Sequence, residues 1–244
     1  MQFRLMTYNI HKGIGGIDRR YDLQRIIDVI RHYHPDIVFL QEVDEGVKRS
    51  RHDRQVELLA TALDFNHFTY QNNVAVKNGH YGNAILSRYP LGEQLDLDLK
   101  VSIKKRRRAL ITHTQIPNGR DSQTMLLCNA HLGLSGFERS VQIKRIVILD
   151  ELKELSIPVI VGGDFNDVWA EHGRKLMFPL GFECAVCDAK TFPAAFPVRS
   201  LDAIYYRGEL MLLNSFTGRT KLARQASDHL PVIADFAFHP GATS

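Results

Sequence analysis

The residues with the clearest capacity for chemistry are an aspartate and an asparagine that follow a short buried strand. The run Val159 to Gly163 is apolar, rich in β-branched residues and too short for a helix, and it leads into Asp164, Phe165 and Asn166. Because side chains alternate along an extended chain, Asp164 and Asn166 are predicted to point the same way while Phe165 turns toward the core. Taken alone, the segment is closer to an ordinary strand and turn than to proof of an active site.

Similar polar residues occur where other predicted strands end or begin. They are Asn9, Glu42 and His131 at strand ends, and Asp202, Asp228 and His229 at strand starts. In a mixed sheet, the ends of some strands lie beside the starts of their antiparallel neighbours. These residues are therefore predicted to converge with Asp164 and Asn166 on one edge of the sheets.

The chemistry of this set is that of a metal-assisted hydrolase. Carboxylates and carboxamides are hard oxygen ligands that suit magnesium or manganese rather than structural zinc. The two histidines can donate and accept protons near neutral pH. One arginine of the basic run 104–108 can reach a phosphate, although most of such a run is typical of a solvated loop. This combination predicts attack of water on a phosphoester, whereas no serine-nucleophile elbow, Walker loop or dinucleotide fingerprint is present.

The elements that must position these residues alternate between strands and helices. Beside the strand at 159, strands are predicted at Phe3 to Tyr8, Ile37 to Leu40, Phe68 to Val76, Asn83 to Ser87, Ala109 to Thr114, Met125 to His131, Ala203 to Tyr206 and Pro231 to Phe238. Helices are predicted after the N-cap Asp22, at Gln55 to Leu63, and after the capping box of Ser135 and Glu138, with Leu152 still on the buried side of the last helix. The alternation predicts an α/β sandwich.

The whole-chain composition fits one compact domain. At 244 residues, with 44% hydrophobic and 24% charged content, a single domain is predicted over residues 1–239, followed by a frayed tail at 240–244. The formal charge of +4 suits an anionic partner. Cys128, Cys184 and Cys187 are interpreted as small apolar residues. The chain begins directly with a strand and has no apolar run near the ~20 residues of a membrane span, so a cytoplasmic location is predicted.

Seven short motifs occur in order along the chain: Thr7-Tyr8-Asn9, Pro35 to Glu42, Gly82 to Ser87, Asn129 to Leu132, Gly162 to Asn166, Ser200 to Asp202 and Ser227 to Pro231. This set resembles the motifs of the endonuclease/exonuclease/phosphatase superfamily related to deoxyribonuclease I. They follow the family order over nearly the whole chain, and the ordered set is far more specific than any single motif. The resemblance implies an α/β (α+β) fold of four layers, α/β/β/α, in which two packed mixed sheets are flanked by helices and carry a divalent-metal phosphoesterase site on one edge.

The resemblance also implies a role for the residues that match. Glu42 is implied to be the principal ligand of magnesium, with manganese as the alternative ion. Asn9 is implied to assist near the metal or the phosphate, and Asp228 to support the metal. His229 is implied to be the general base, oriented by Asp202, because a carboxylate holds an imidazole in its useful tautomer.

The remaining implied roles concern water and phosphate. Asp164 and Asn166 are implied to position the attacking water and the phosphoryl oxygens, and either Asp164 or His229 is implied to activate the water. His131 is implied to donate a hydrogen bond to the phosphate or a proton to the leaving oxygen. The predicted phosphate contacts are Arg108, Arg107 and Asn83.

His131 also bears on the substrate. Abasic-site endonucleases of the superfamily usually carry tyrosine there, whereas deoxyribonuclease I, sphingomyelinases and inositol phosphatases carry histidine. The sequence predicts a monomeric, divalent-metal-dependent phosphoesterase, and most specifically a phosphodiesterase. Its predicted substrate is nucleic acid or a phospholipid or inositol phosphate head group. The alternative is a catalytically inactive, nucleic-acid-binding regulator on the same fold. Inactive members typically lose the ligand at Glu42 or the pair at Asp228 and His229, and this chain keeps both.

Overall fold

The computed structural model describes residues 1–101, 106–119, 121–153 and 157–239, in which two mixed sheets pack face to face. In chain order the strands are β1 (Gln2–Asn9), β2 (Ile37–Glu45), β3 (His67–Val76), β4 (Gly79–Ser87), β5 (Leu95–Asp98), β6 (Arg108–Asn118), β7 (Asp121–His131), β8 (Val159–Asp164), β9 (Glu183–Val186), β10 (Asp202–Arg207), β11 (Leu210–Thr217) and β12 (Val232–Phe238). One six-stranded sheet has the order β11-β12-β1-β2-β4-β3, and the other has the order β5-β6-β7-β8-β10-β9. The predicted tail at 240–244 lies outside the described residues.

Helices cover the outer face of each sheet. They are α1 (Leu23–Tyr33), α2 (Gln55–Ala62), α3 (Gly136–Val147), α4 (Asp150–Lys153), α5 (Glu171–Met177) and α6 (Lys221–Ala226), with 3-10 turns at His11–Gly13, Lys48–Ser50 and Phe178–Leu180. Apolar side chains of α1, α2 and α6 pack on the first sheet, and those of α3 and α5 pack on the second. A further apolar cluster fills the space between the sheets. The predicted four-layer α/β/β/α sandwich is confirmed.

Local signals determine where the helices start and stop. Asp22 caps α1, which ends before Pro35 as predicted. Ser135 and Glu138 form the predicted capping box of α3. Leu152 belongs to the separate short helix α4, so the continuous helix predicted from the apolar pattern is two helices. α3 begins close to the end of β7, so its first turn lies at the edge where the polar residues converge.

The register of the second sheet brings three polar residues side by side. Asp164 is the partner of His131 across the parallel pair β7 and β8, and of Asp202 across the antiparallel pair β8 and β10. Gly163 has a φ of 139°, and a Cβ there would lie only 1.9 Å from the carbonyl oxygen of Ala130. Only glycine fits this close approach, which lets β8 deliver Asp164 to the sheet edge.

Strand β2 departs from its predicted end at Leu40. It continues to Glu45, and the register with β4 shifts between Leu40 and Val43, so Gln41 and Glu42 together face one residue of the partner strand. Glu42 has a φ of 58°. Bulges of this kind redirect a side chain without ending the strand. Glu42 is therefore presented by a bulge inside β2, and the prediction that it follows the strand end is wrong.

The cysteines differ from each other in state. Cys128 is a buried free thiol, as its apolar interpretation predicts. Cys184 and Cys187 form a disulfide, with their Cα atoms 6.1 Å apart. The apolar interpretation is wrong for this pair, because the backbone that leaves β9 places the two residues within the ordinary span of a disulfide. No helix in the described ranges is long and apolar enough to cross a membrane.

Candidate functional site

Asp164, at the end of β8, is the centre of a buried polar cluster. Its Oδ2 accepts a hydrogen bond of 3.0 Å from Asn9 Nδ2 at the end of β1. The same oxygen lies 3.4 Å from His131 Nε2 and 3.8 Å from His229 Nε2. All four side chains are buried. The structure thus brings residues from both sheets to one carboxylate oxygen.

His229 is held on its other side by a carboxylate and a ring. Its Nδ1 lies 2.9 Å from Asp202 Oδ2, and that oxygen also accepts a hydrogen bond of 2.5 Å from Thr191 Oγ1. The ring of Phe192 lies 5.1 Å from the imidazole, centroid to centroid. The backbone N–H of His229 donates to Ser227 Oγ at 3.2 Å. These contacts fix the ring so that Nε2 faces Asp164.

Asp164 and His229 form an interacting pair whose protonation is shifted by burial and charge. Burial raises the pKa of Asp164 above its usual value, and the charge of Asp202 acts in the same direction. Burial opposes a charge on His229, but the carboxylates of Asp202 and Asp164 outweigh it and raise the pKa of His229. The two groups interact with each other and therefore titrate as a pair.

The surroundings of His131 shift its pKa in the direction opposite to that of His229. Burial, assisted by the positive charge of Arg107, lowers the pKa of His131 well below its usual value. The imidazole is neutral at pH 7, with Nε2 directed at Asp164. A neutral imidazole can donate one hydrogen bond to an oxygen in the site.

Glu42 forms a second polar group with a lysine that follows β1. The carboxylate pairs with Lys12 Nζ through Oε2, and Oε1 accepts a hydrogen bond of 3.4 Å from Tyr81 OH. Burial would raise the pKa of Glu42, but the charge and hydrogen bond of Lys12, together with the neighbouring His131 and His11, outweigh it and lower this pKa to about 2. Lys12 lies in the turn that also binds Asn9, since the N–H of His11 donates to Asn9 Oδ1 at 3.0 Å. Glu42 is therefore a charged carboxylate at the edge of the site.

The available donor atoms fit a divalent cation. Asp164, Asp202 and His229 each offer one ligand atom, and these atoms lie within 4.8 Å of one another. Oδ1 of Asp202 is buried and has no hydrogen-bond partner among the described residues. Glu42 contributes a charged carboxylate and Asn9 a carboxamide oxygen. A set dominated by oxygen atoms suits a hard cation such as Mg²⁺ or Mn²⁺.

The predicted phosphate contacts differ in where they point. Arg108 Nη1 donates to Asp96 Oδ2 at 3.4 Å. Arg107 lies close enough for its charge to lower the pKa values of Tyr81, His131 and Asp164. The structure thus places Arg107, rather than Arg108, beside the cluster. Lys104 and Lys105 of the predicted basic run lie outside the described residues.

Asn83 lies beneath the site. It is buried, and its Nδ2 donates to Gln71 Oε1 at 3.3 Å and to the carbonyl oxygen of Arg108 at 3.1 Å. Both donor directions are used inside the protein. Asn83 therefore supports the strand that carries Arg108.

Asn166 and Asp228 lie next to the central cluster. The backbone N–H of Asn166 donates to Asp164 Oδ1 at 3.0 Å, and its Nδ2 donates to the carbonyl oxygen of Leu132 at 3.0 Å. Asn166 has a φ of 51°, so the chain turns directly after β8 and the predicted simple alternation stops at Phe165. Asp228 is partly exposed, with Oδ1 3.8 Å from His11 Nδ1.

A buried amide pair connects the sheets below the cluster. Gln41 Nε2 donates to Asn129 Oδ1 at 2.8 Å and to Thr7 Oγ1 at 3.0 Å. Asn129 Nδ2 donates to the carbonyl oxygens of Leu40 and Ala84 at 2.9 and 2.8 Å. Buried polar groups with this many partners specify one relative placement of the strands. They hold β7, and with it His131, against β2.

Sequence reasoning missed Lys12, Tyr81 and Thr191. The sequence position of Lys12 could have indicated its place in the site, because it lies in the loop directly after Asn9. No sequence feature indicated Thr191, since it lies outside every motif and contacts Asp202 only in the folded protein. Tyr81 precedes a motif, but the sequence does not show that its hydroxyl faces Glu42.

Comparison with known proteins shows the same architecture and a shared sequence pattern. The pattern of the Endonuclease/Exonuclease/phosphatase family matches residues 6–229. The protein YbhP of Escherichia coli strain K12 is 32% identical over 254 aligned positions, which cover 96% of this chain and 95% of YbhP.

Two solved structures share the fold at low sequence identity. An endonuclease/exonuclease/phosphatase from Beutenbergia cavernae superimposes with a TM-score of 0.79 at 22% identity, covering 100% of this chain and 73% of that chain. The mannosyl-6-phosphatase Bt3783 of Bacteroides thetaiotaomicron superimposes with a TM-score of 0.74 at 18% identity, covering 97% of this chain and 100% of that chain.

Proposed function

Because the chain belongs to the endonuclease/exonuclease/phosphatase family, we propose that it is a divalent-metal-dependent hydrolase of phosphoester bonds, in first place a phosphodiesterase. The observation that carries the proposal is the convergence of Asn9, His131 and His229 on Asp164 Oδ2, with Asp202 behind His229. This arrangement holds a proton acceptor and a hydrogen-bond donor at one buried point. The mannosyl-6-phosphatase activity of a structural relative is consistent with phosphoester chemistry on this fold.

The residues that would hold the cation are Glu42 and Asn9, with Asp228 in support. The tightest cluster of ligand atoms contains Asp202 and His229 instead, but these two already bind each other at 2.9 Å. Glu42 is charged and its cationic partner is a lysine side chain, which can move away. Bound magnesium, or manganese in its place, would neutralise phosphate charge and acidify a bound water.

The remaining residues of the site would transfer protons or bind the substrate. The Asp164–His229 pair accepts the proton of the attacking water, with Asp202 holding the imidazole in place. His131, as a neutral imidazole, donates a hydrogen bond to a phosphoryl or leaving oxygen. Arg107 lies where its guanidinium can bind the phosphate.

The test is hydrolysis of a substrate panel with magnesium and with chelator. The panel contains bis-p-nitrophenyl phosphate, DNA, RNA, sphingomyelin and inositol phosphates. Glu42→Gln should raise the magnesium concentration needed for half-maximal activity by roughly 10- to 100-fold or more. Loss of a residue that only supports a metal ligand already has an effect of that size, and Glu42 is proposed to be a ligand itself. Glu45→Gln is the matched control, since Glu45 lies on the same strand but pairs with Arg54 at the surface.

Two results would contradict the proposal. One is that every substrate stays intact in the presence of magnesium and manganese, which would favour the inactive nucleic-acid-binding regulator. The other is hydrolysis that is unchanged by chelator and by Glu42→Gln.

A further inference from the structure

The most exposed large apolar side chains surround the proposed site. Among the large apolar residues that the structure describes, the four highest exposures belong to Phe196 (77%), Leu134 (75%), Phe137 (73%) and Trp169 (71%). Leu134 and Phe137 follow the end of β7, and Trp169 follows the end of β8. Phe196 precedes β10, and Ile17, at 60%, lies in the loop after β1. Single exposed apolar residues are ordinary, but their concentration at one edge of the sheets is not.

Three of these side chains share one flank of the site. Arg139 Nη1 donates to the carbonyl oxygen of Leu134 at 2.7 Å, and Arg139 Nε lies 3.8 Å from Asp167 Oδ1. Asp167 stands two residues before Trp169, and Phe137 lies in the first turn of α3 between Leu134 and Arg139. The loops after β7 and β8 are thus tied together by Arg139, and both carry exposed apolar side chains.

The other two side chains lie on the opposite flank, beside Asp228. The backbone of Gly16 packs on Asp228, since a Cβ at Gly16 would lie 2.7 Å from Asp228 Cα. The N–H of Ala194 donates to the carbonyl oxygen of Asp228 at 2.7 Å. Ile17 and Phe196 follow these two anchored residues. Leu134, Phe137, Trp169, Phe196 and Ile17 together form an apolar rim on both sides of the site.

Positive charge accompanies the rim on the Asp228 flank. Arg19 and Arg20 are exposed in the same loop as Ile17, and Arg199 is exposed in the loop of Phe196. The two acidic residues of the first loop, Asp18 and Asp22, are already paired with Arg25, at 2.8 and 3.1 Å. The arginines therefore leave a net positive charge beside the exposed apolar side chains.

We propose that the apolar rim docks on an anionic phospholipid surface, and that the site hydrolyses a phosphoester presented at that surface. Large apolar side chains inserted at the level of the head groups, with arginines beside them, are the combination that binds anionic bilayers. Tryptophan is suited to that interface, and aliphatic Leu134 and Ile17 gain from burial in acyl chains. Nucleobases would instead favour aromatic side chains that stack, which does not account for the aliphatic members.

The proposal rests on the phosphoesterase function for the nature of the substrate, but docking is measured without turnover. The full-length protein is sedimented with vesicles of phosphatidylcholine, with or without phosphatidylglycerol, in the presence of chelator. Binding is expected to vesicles with phosphatidylglycerol and to weaken with salt. Phe137→Ser combined with Trp169→Ser should weaken binding about tenfold or more. Ile148→Ser is the matched control, because Ile148 is also 60% exposed but lies at the far end of α3.

Hydrolysis of bis-p-nitrophenyl phosphate by the same variants separates the two proposals. It should be unchanged in the double variant, since neither side chain belongs to the site. Absence of vesicle binding, or equal binding by the double variant, would overturn the docking surface while hydrolysis continued. Trp169-dependent binding of a single-stranded oligonucleotide without vesicle binding would also overturn it. Vesicle binding by a protein that hydrolyses no phosphoester would instead refute the proposed function.

Discussion

His131 and His229 lie on two sides of the same carboxylate and are held in opposite ways. Their Nε2 atoms lie 3.4 and 3.8 Å from Asp164 Oδ2. Behind His229 stands Asp202, which together with Asp164 raises the pKa of the imidazole despite burial. Beside His131 stands Arg107, which adds to burial and lowers the pKa of that imidazole.

The difference shows that the role of each histidine is set by what lies beyond the central carboxylate. A carboxylate partner favours the imidazolium and fixes one tautomer, whereas a guanidinium favours the neutral ring. In the proposed function, His229 therefore takes part in proton transfer with Asp164, while His131 donates a hydrogen bond.

His229→Ala should reduce kcat/KM by roughly 10²–10⁴-fold, the usual contribution of a general base. His131→Ala should cost less, because it removes a hydrogen bond and leaves the proton acceptor in place. Steady-state hydrolysis of bis-p-nitrophenyl phosphate with saturating magnesium measures both. His80→Ala, a change of an exposed histidine on β4, is the control. Equal losses for the two site variants would contradict the division of roles.

Asp202→Asn should lower the pKa of His229, since it removes the charge behind the ring. The raised pKa contributes stability that is fully present below the ordinary imidazole pKa and is lost as pH rises through the raised value. The variant should therefore lose that part of the unfolding free energy at a lower pH than wild type. NMR titration of the imidazole and urea unfolding against pH, both in chelator, measure the change. Asp235→Asn, which affects a pair with Arg4, should leave the His229 titration unaltered.

Thr191→Val should have the smallest effect, and it should shift the pKa of His229 in the direction opposite to Asp202→Asn. Thr191 Oγ1 donates to Asp202 Oδ2 at 2.5 Å, so without this hydrogen bond the carboxylate acts more strongly on the imidazolium and raises the pKa of His229. Activity should fall by about tenfold or less, in line with one hydrogen bond to a charged group. Thr191→Ser should restore both properties. If activity fell while the pKa of His229 stayed the same, Thr191 would contribute through packing and not through Asp202.

Much of the fold could be predicted because its signals are local. The strand-helix alternation, the cap at Asp22 and the capping box at Ser135 each depend on neighbouring residues. The ordered motifs then implied the four layers, which the sheet orders confirm. The composition of the site followed from polar residues at strand boundaries.

Other features depended on contacts between distant segments. The bulge that presents Glu42 arises from the register of β2 against β4. The choice between Arg107 and Arg108 depends on Asp96, which binds Arg108. The Cys184–Cys187 disulfide required the path of the chain beyond β9.

The sequence alone indicated which residues could carry chemistry and which elements would hold them, because polar type, β-propensity and caps are properties of short segments. Only the tertiary structure decided which atoms meet. Asp164 acquires Asn9, His131 and His229 through strand pairing and sheet packing across long stretches of chain. The opposite states of the two histidines follow from those distant neighbours, since a pKa responds to burial and charge in space rather than to position along the chain.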